Sequence, residues 1–169
     1  MAMKATAGAL FAGGALLVAA CGGSAQTTAQ TTAKPASPSG ALKISVKSGA
    51  GGTYLTDSSG RSLYLWVADS GGKSSCSGAC AQAWPPLITR GKPKARGGAK
   101  QSMLSTSRRA NGKRQVLYNG HPVYRYAFDS APGDTNGEGL NAFGARWFAV
   151  APSGRAMTSG SAPASPNPY

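Results

Sequence analysis

Three groups of side chains in this chain have the types and spacing to do chemistry. Cys76 and Cys80, in Ser75-Cys76-Ser77-Gly78-Ala79-Cys80, are close enough to close a small loop. Three intervening residues do not make the C-x-x-C of thioredoxin-like enzymes, and no second Cys or His pair completes a zinc site. One local disulfide is therefore expected, contributing about 2 kcal/mol by restricting the unfolded chain; a redox-active or metal-binding pair is the alternative. In the loop from Asp129 to Gly139, Asp134, Asn136 and Glu138 occupy alternate positions and offer oxygens to Ca²⁺. The bidentate Glu of an EF-hand has no counterpart, since its position is Ala145, and the matching loop after Asp69 holds Lys73 and no acid. A turn with Asx hydrogen bonds is the expectation there, with no metal. The third group is aromatic. Tyr64 and Trp66, like Tyr124 and Tyr126, stand at i and i+2, on one face of a strand, with Asp69 and Asp129 following. Such rings fill a core or form a shelf that stacks a sugar, and Trp84 and Trp147 carry the same choice. Core is the expectation, with Asp69 and Asp129 accepting hydrogen bonds from backbone N–H groups of the next loop.

Catalysis has little to draw on. The chain has 5 Asp and Glu and 1 His in 169 residues. His121 follows Asn119-Gly120 in an expected exposed turn, and no G-x-S-x-G elbow occurs. Neither an enzyme nor a cofactor is expected.

Charge is lopsided, with 18 Lys and Arg giving a formal +13. Arg90, Lys92, Lys94, Arg96, Lys100, Arg108, Arg109, Lys113 and Arg114 follow one another with no acid among them. That density could bind nucleic acid, but the N-terminus gives an address where none is at hand. Met1 to Lys4 is a short positive start, and Ala5 to Ala20 is an apolar run of about 16 residues, shorter than the roughly 20 of a membrane span. Leu17-Val18-Ala19-Ala20-Cys21 matches a lipobox, so residues 1–20 read as a signal peptide and Cys21 as a lipidated first mature residue. The expected location is extracytoplasmic, on the cell membrane. The anions within reach of the basic stretch are then phospholipid headgroups and anionic cell-wall polymer, each Lys or Arg near an anionic bilayer contributing about 1 kcal/mol.

The elements that position these groups follow from composition and period. Residues 21–41 form a Ser-, Thr-, Ala- and Pro-rich tether with a reach of roughly 25 Å, and 152–169 reads as a loose tail. The body, 42–151, repeats itself at about 42–90 and 102–151, joined by the basic connector 90–114. Leu42, Ile44 and Val46 alternate with Lys43, Ser45 and Lys47, and turn signals stand at Asp57 to Gly60, Asn111-Gly112 and Asn119-Gly120. The fold class is mainly β: a small antiparallel domain of two similar units, with one or two helical turns, near Gly78–Ala83 and Leu140–Ala145. Neither unit alone has enough apolar surface to be stable.

The paired Tyr64-x-Trp66-x-x-Asp69 and Tyr124-x-Tyr126-x-x-Asp129, with the lipobox, resemble the bacterial "secreted repeat of unknown function" family, predicted lipoproteins described by a Yx(F/W/Y)xxD motif. Trp84-Pro85-Pro86 beside the cysteines, Asn119-Gly120-His121-Pro122 and Asp134 to Gly137 are similar to it as well. The resemblance implies a lipid-anchored, two-repeat envelope protein and supplies no activity. The leading expectation is a non-enzymatic binding or structural module; the alternative is an extracytoplasmic redox or metal-handling module.

Overall fold

The structure, a computed structural model, describes residues 41–49 and 51–157; the expected signal peptide, Cys21 and the tether up to residue 40 lie outside the described residues. A hairpin opens each half, and in the first of them Ile44 and Val46 alternate with Lys43, Ser45 and Lys47. In the first, β1 (Lys43–Gly49) pairs antiparallel with β2 (Gly52–Thr56), Val46 opposite Leu55. In the second, β6 (Leu104–Arg108) pairs with β7 (Arg114–Tyr118), Thr106 opposite Val116. The first half continues through β3 (Tyr64–Trp66), the five-residue helix α1 (Ala79–Ala83) and β4 (Ile88–Thr89). The second continues through β8 (His121–Pro122), β9 (Asn141–Ala142) and β10 (Ala145–Ala149).

The halves complete each other. β10 of the second lies along β3 of the first, with Trp147 opposite Trp66 and Ala149 opposite Tyr64, while β4 of the first pairs with β7 of the second. The backbone bonds recur with the halves exchanged. Val150 N–H donates to Leu63 C=O (2.9 Å) as Leu87 N–H donates to Val123 C=O (3.0 Å). Leu55 N–H donates to Val150 C=O (2.8 Å) as Val116 N–H donates to Leu87 C=O (2.9 Å). At the centre Tyr64 and Tyr124 face each other and exchange both backbone hydrogen bonds, each 2.9 Å. The Trp-bearing segment of each repeat is thus a strand of its partner's sheet, which is why one repeat alone has an unpaired edge and half a core.

Two buried clusters result. An aliphatic one contains Ile44, Leu55, Leu63, Leu65, Leu87, Val116, Val123 and Val150. An aromatic one contains Tyr54, Tyr64, Trp66, Trp84, Tyr124, Tyr126 and Trp147, with the Cys76–Cys80 disulfide against it.

Three expectations need correction, and the connector between the repeats is more than a link. The helical turn expected near Leu140–Ala145 is instead the β9–β10 hairpin, closed by Phe143 (φ 58°) and Gly144 (φ 88°), two left-handed residues as a tight primed turn requires. His121 is not in an exposed turn; it opens β8, half-buried, after the Asn119-Gly120 turn. The basic connector is built into the fold. Its β5 (Lys94–Ala95) runs parallel to β1, and the Gln101 side chain, in a 3₁₀ turn (Gln101–Met103), accepts from Ala95 N–H (2.9 Å) and donates to Pro93 C=O (3.1 Å). Finally, 152–157, expected as the start of a loose tail, are ordered, and 158–169 lie outside the described residues. Residues 152–157 fold back: Tyr118 Oη donates to Pro152 C=O (3.0 Å), Ala156 bridges Val150, and Met157 is buried.

Gly154 fixes that return. Its φ is 79°, and a Cβ there would overlap the Asn119 side chain. Gly154→Ala should cost about 3 kcal/mol, the left-handed penalty of ~1–2 kcal/mol plus the overlap. Gly71→Ala (φ 58°, open space) should cost only the conformational part. Denaturant midpoints of the two variants give the comparison; equal losses would mean that 152–157 do not pack on the Asn119 turn.

Candidate functional site

The six motif residues, 60 positions apart in sequence, come together across the boundary between repeats. Tyr64 Oη donates to Asp129 Oδ2 (2.7 Å), and Tyr124 Oη donates to Asp69 Oδ2. Each phenol reaches the carboxylate of the other repeat. The second carboxylate oxygens do what the sequence suggests: Asp129 Oδ1 accepts from Asn136 N–H (3.0 Å) and Asp69 Oδ1 from Ser75 N–H (2.8 Å). Burial, the larger cause, pushes the Asp129 carboxyl up to about 6 against the pull of the Tyr64 hydroxyl and the Asn136 amide. Burial likewise raises both phenols.

Between the two pairs the rings form a column. Trp66 stacks on Trp147 (5.2 Å between centroids, 8° between planes), Trp147 on Trp84 (3.9 Å, 3°), and Trp84 on Tyr126 (4.3 Å, 31°). Repeats alternate along it, in the order first, second, first, second. Tyr124 and Tyr64 meet its two central indoles edge-on, at 5.1 and 5.4 Å. Gly137 allows this closeness, since a Cβ there would stand 2.8 Å from the Trp84 ring. The column is dry: Trp84 and Trp147 are 0% exposed and Trp66 is 7%. That exposure overturns the sugar-stacking shelf, and the core reading of these rings describes their packing.

The carboxylates of the acidic loop point to separate partners. Asp134 Oδ2 accepts from Ser130 and Ala131 N–H (2.9 and 2.8 Å), which holds its carboxyl below the usual range, while Glu138 Oε2 accepts from Ala149 N–H (2.6 Å) and is raised by burial. Asn136 serves Asp129 through its backbone. Among the described residues no group of three His, Cys, Asp or Glu could hold a metal ion.

The basic residues divide. Arg90, Lys92, Lys94, Arg96, Lys100, Arg108, Lys113 and Arg114 are exposed. Arg109 is not available for an anion, because its guanidinium, half-buried, donates to Ser74 Oγ, Gln115 Oε1 and Cys76 C=O. It ties the second hairpin to the disulfide loop of the first repeat.

Sequence reasoning missed several polar groups inside. Asp57, buried, pairs with Arg125 Nε across the repeats (2.5 Å), the one ion pair among the described residues, and accepts from Ser59 and Arg61 N–H. Gln115, 0% exposed, donates to Val123 C=O (3.0 Å). Asp57 in Asp57-Ser-Ser-Gly60 reads as a turn residue, and nothing local marks Arg125, 68 residues away, as its partner.

The fold and the site define a β domain made of two repeats that exchange strands and Tyr–Asp contacts. The chain belongs to the family described as a secreted repeat of unknown function, whose model matches residues 45–88 and 105–151. The two matches fall on the two structural halves. No curated protein and no solved structure matches the chain.

The Asp129 carboxyl gives a pH signature. Its acid form is favoured in the folded state relative to the ordinary 3.8, so its contribution is full below about pH 4 and is lost as pH rises through about 6. Asp129→Asn mimics the uncharged carboxyl, so the stability of the native protein minus that of the variant should fall between about pH 4 and 6 and level off above. Thermal unfolding of both proteins across that range measures it; a difference flat in pH would contradict the burial of this carboxylate.

Proposed function

We propose that the protein is a non-enzymatic binding module, held at the outer face of the cytoplasmic membrane by a lipid on Cys21, whose basic surface contacts anionic cell-wall polymer or phospholipid headgroups. The observation that carries this reading is the fate of the carboxylates. The sequence has 5 Asp and Glu. Asp57, Asp69, Asp129, Asp134 and Glu138 are each engaged within the domain, by Arg125, Tyr124, Tyr64, the Ser130–Ala131 amides and the Ala149 amide respectively. The eight exposed cations of the 90–114 stretch therefore form no ion pair among the described residues of the domain.

Register sharpens the point. Arg108 lies opposite Arg114 in the second hairpin, and Lys43 opposite Lys94 between β1 and β5. Like charges in cross-strand positions are destabilising, and an external polyanion relieves that repulsion. Family membership supports an extracytoplasmic address, and the lipobox at Cys21 supports the anchor.

Protein carrying Cys21→Ser, and so lacking the lipid, should sediment with vesicles containing anionic lipid and not with neutral ones. High salt should release it, because exposed charges are screened within a Debye length. Arg108→Glu with Arg114→Glu should weaken binding by ~2 kcal/mol or more. Anionic wall polymer, added as a competitor, distinguishes the two partners. Equal binding to both vesicle types would remove the proposal.

A further inference from the structure

The ring column has features that packing alone does not require. Aromatic pairs favour offset or edge-to-face geometry over a parallel sandwich, and the fold can make edge contacts, as Tyr64–Trp84 at 77° and Tyr124–Trp147 at 85° show. Three indoles nevertheless stack in sequence with neighbouring planes within 8°, and the central two have centroids only 3.9 Å apart, closer than the roughly 4.5–7 Å usual for aromatic pairs. Trp147 Nε1 donates to Ala142 C=O (3.1 Å), whereas the buried Nε1 groups of Trp66 and Trp84 have no acceptor. An unmade buried hydrogen bond costs about 1–3 kcal/mol, so two in one column call for a reason.

We propose that the column Trp66–Trp147–Trp84–Tyr126, with the Tyr64–Asp129 and Tyr124–Asp69 pairs at its flanks, is a one-electron redox site that carries an oxidising equivalent from the surface to a buried tyrosine. Parallel contact gives the overlap through which a hole moves from ring to ring. An oxidised indole with no base at Nε1 keeps its proton, so the hole is passed on and not trapped. The phenols are different, since a phenol gives up its electron at moderate potential only when its proton can leave, and each has a carboxylate oxygen on its hydroxyl.

The step balances within the domain. A diffusible one-electron oxidant removes one electron from the column, leaving an indole radical cation. Tyr64 gives an electron to Trp84, and its hydroxyl proton moves to Asp129 Oδ2; the products are a neutral indole, a neutral phenoxyl and a carboxylic acid. By the equivalent route Tyr124 reduces Trp147 and protonates Asp69. A hydroquinone-class donor then returns one electron, and the proton goes back to the phenol. Asp129, at about 6, is ionised at neutral pH and ready to accept. The column is nearest solvent at its ends, where Trp66 is 7% exposed and Tyr126 touches Phe128, itself 56% exposed.

Pulse radiolysis of the folded full chain, with azide radical as oxidant, tests this. Indole radical should convert to phenoxyl radical at a rate independent of protein concentration and slower in D₂O. Asp69→Asn with Asp129→Asn should slow that conversion by about tenfold or more, roughly 1.4 kcal/mol in the barrier. Tyr64→Phe with Tyr124→Phe should leave indole radical as the lasting species. A conversion that depends on protein concentration, shows no isotope effect, or is undiminished in the carboxamide variant would overturn the proposal. If those variants do not fold, the native protein decides alone: a conversion that depends on protein concentration or runs equally fast in D₂O would refute the proposal.

Discussion

Each half of this domain carries a phenol that only the other half can satisfy. Tyr64 and Tyr124 are 0% exposed, and a buried hydroxyl without a partner is costly. The carboxylates that receive them, Asp129 and Asp69, are also spoken for on their other side by the loops that follow them. A hydrogen bond to a charged group contributes about 1.5–3 kcal/mol, and breaking one here strands a buried charge as well. The same two tyrosines exchange backbone hydrogen bonds at the centre, so side chains and main chain enforce one register. Slipping it by one residue would turn both phenols from the column and both Trp segments out of the core. From this exchange follow the order of rings in the column, the position of both loops and the dependence of each repeat on its partner.

The scarcity of acids has a consequence at the surface. A chain with 18 basic residues and 5 acidic ones could spread its carboxylates among its cations. Instead the carboxylates cap turns, receive phenols and close loops, and Arg125, Arg61 and Arg109 are the cations drawn inward, Arg61 to the carbonyls of Tyr126 and Asp129. Interior order and exterior charge are therefore one fact. The groups that specify the fold are those whose removal from the surface leaves it positive.

Much of this was legible in the sequence, for reasons of period. The i, i+2 spacing of Tyr64 and Trp66, and its return at Tyr124 and Tyr126, gives strands and a repeat without further information. Cys76–Cys80 and the Asn119-Gly120 turn are local and were readable as such. What was not legible is long-range. No local signal tells that β10, beyond its pairing with β9, adds to β3 of the other repeat, or that each Asp serves the distant Tyr. The β9–β10 turn escaped because Phe143-Gly144 lacks the Asn or Asp that usually tolerates a left-handed first residue, and an Ala-, Leu- and Phe-containing run suggests a helix by composition. Arg109 looked like one cation among nine because charge runs carry no mark of which member turns inward.

The repeats use different devices where they do the same job. Both need a loop that leaves the motif Asp, presents an amide to it, and returns a Trp to the column. In the first repeat the Cys76–Cys80 bridge and helix α1 stiffen that loop, and Arg109, from the other repeat, ties down its Ser74 hydroxyl and Cys76 carbonyl. In the second there is no bridge: Asp134 gathers the Ser130 and Ala131 amides, Glu138 holds the Ala149 amide, and Gly137 lets the backbone press on Trp84. A covalent clasp and a set of carboxylate–amide bonds thus reach one end, an amide at the second oxygen of the motif Asp, from Ser75 in one case and Asn136 in the other. The disulfide is insensitive to pH and open to reductants, and the carboxylate loop is the reverse. The two sides of the column are therefore held by devices that fail under different conditions, and since each side contains the other's tyrosine acceptor, loosening either one reaches both phenols.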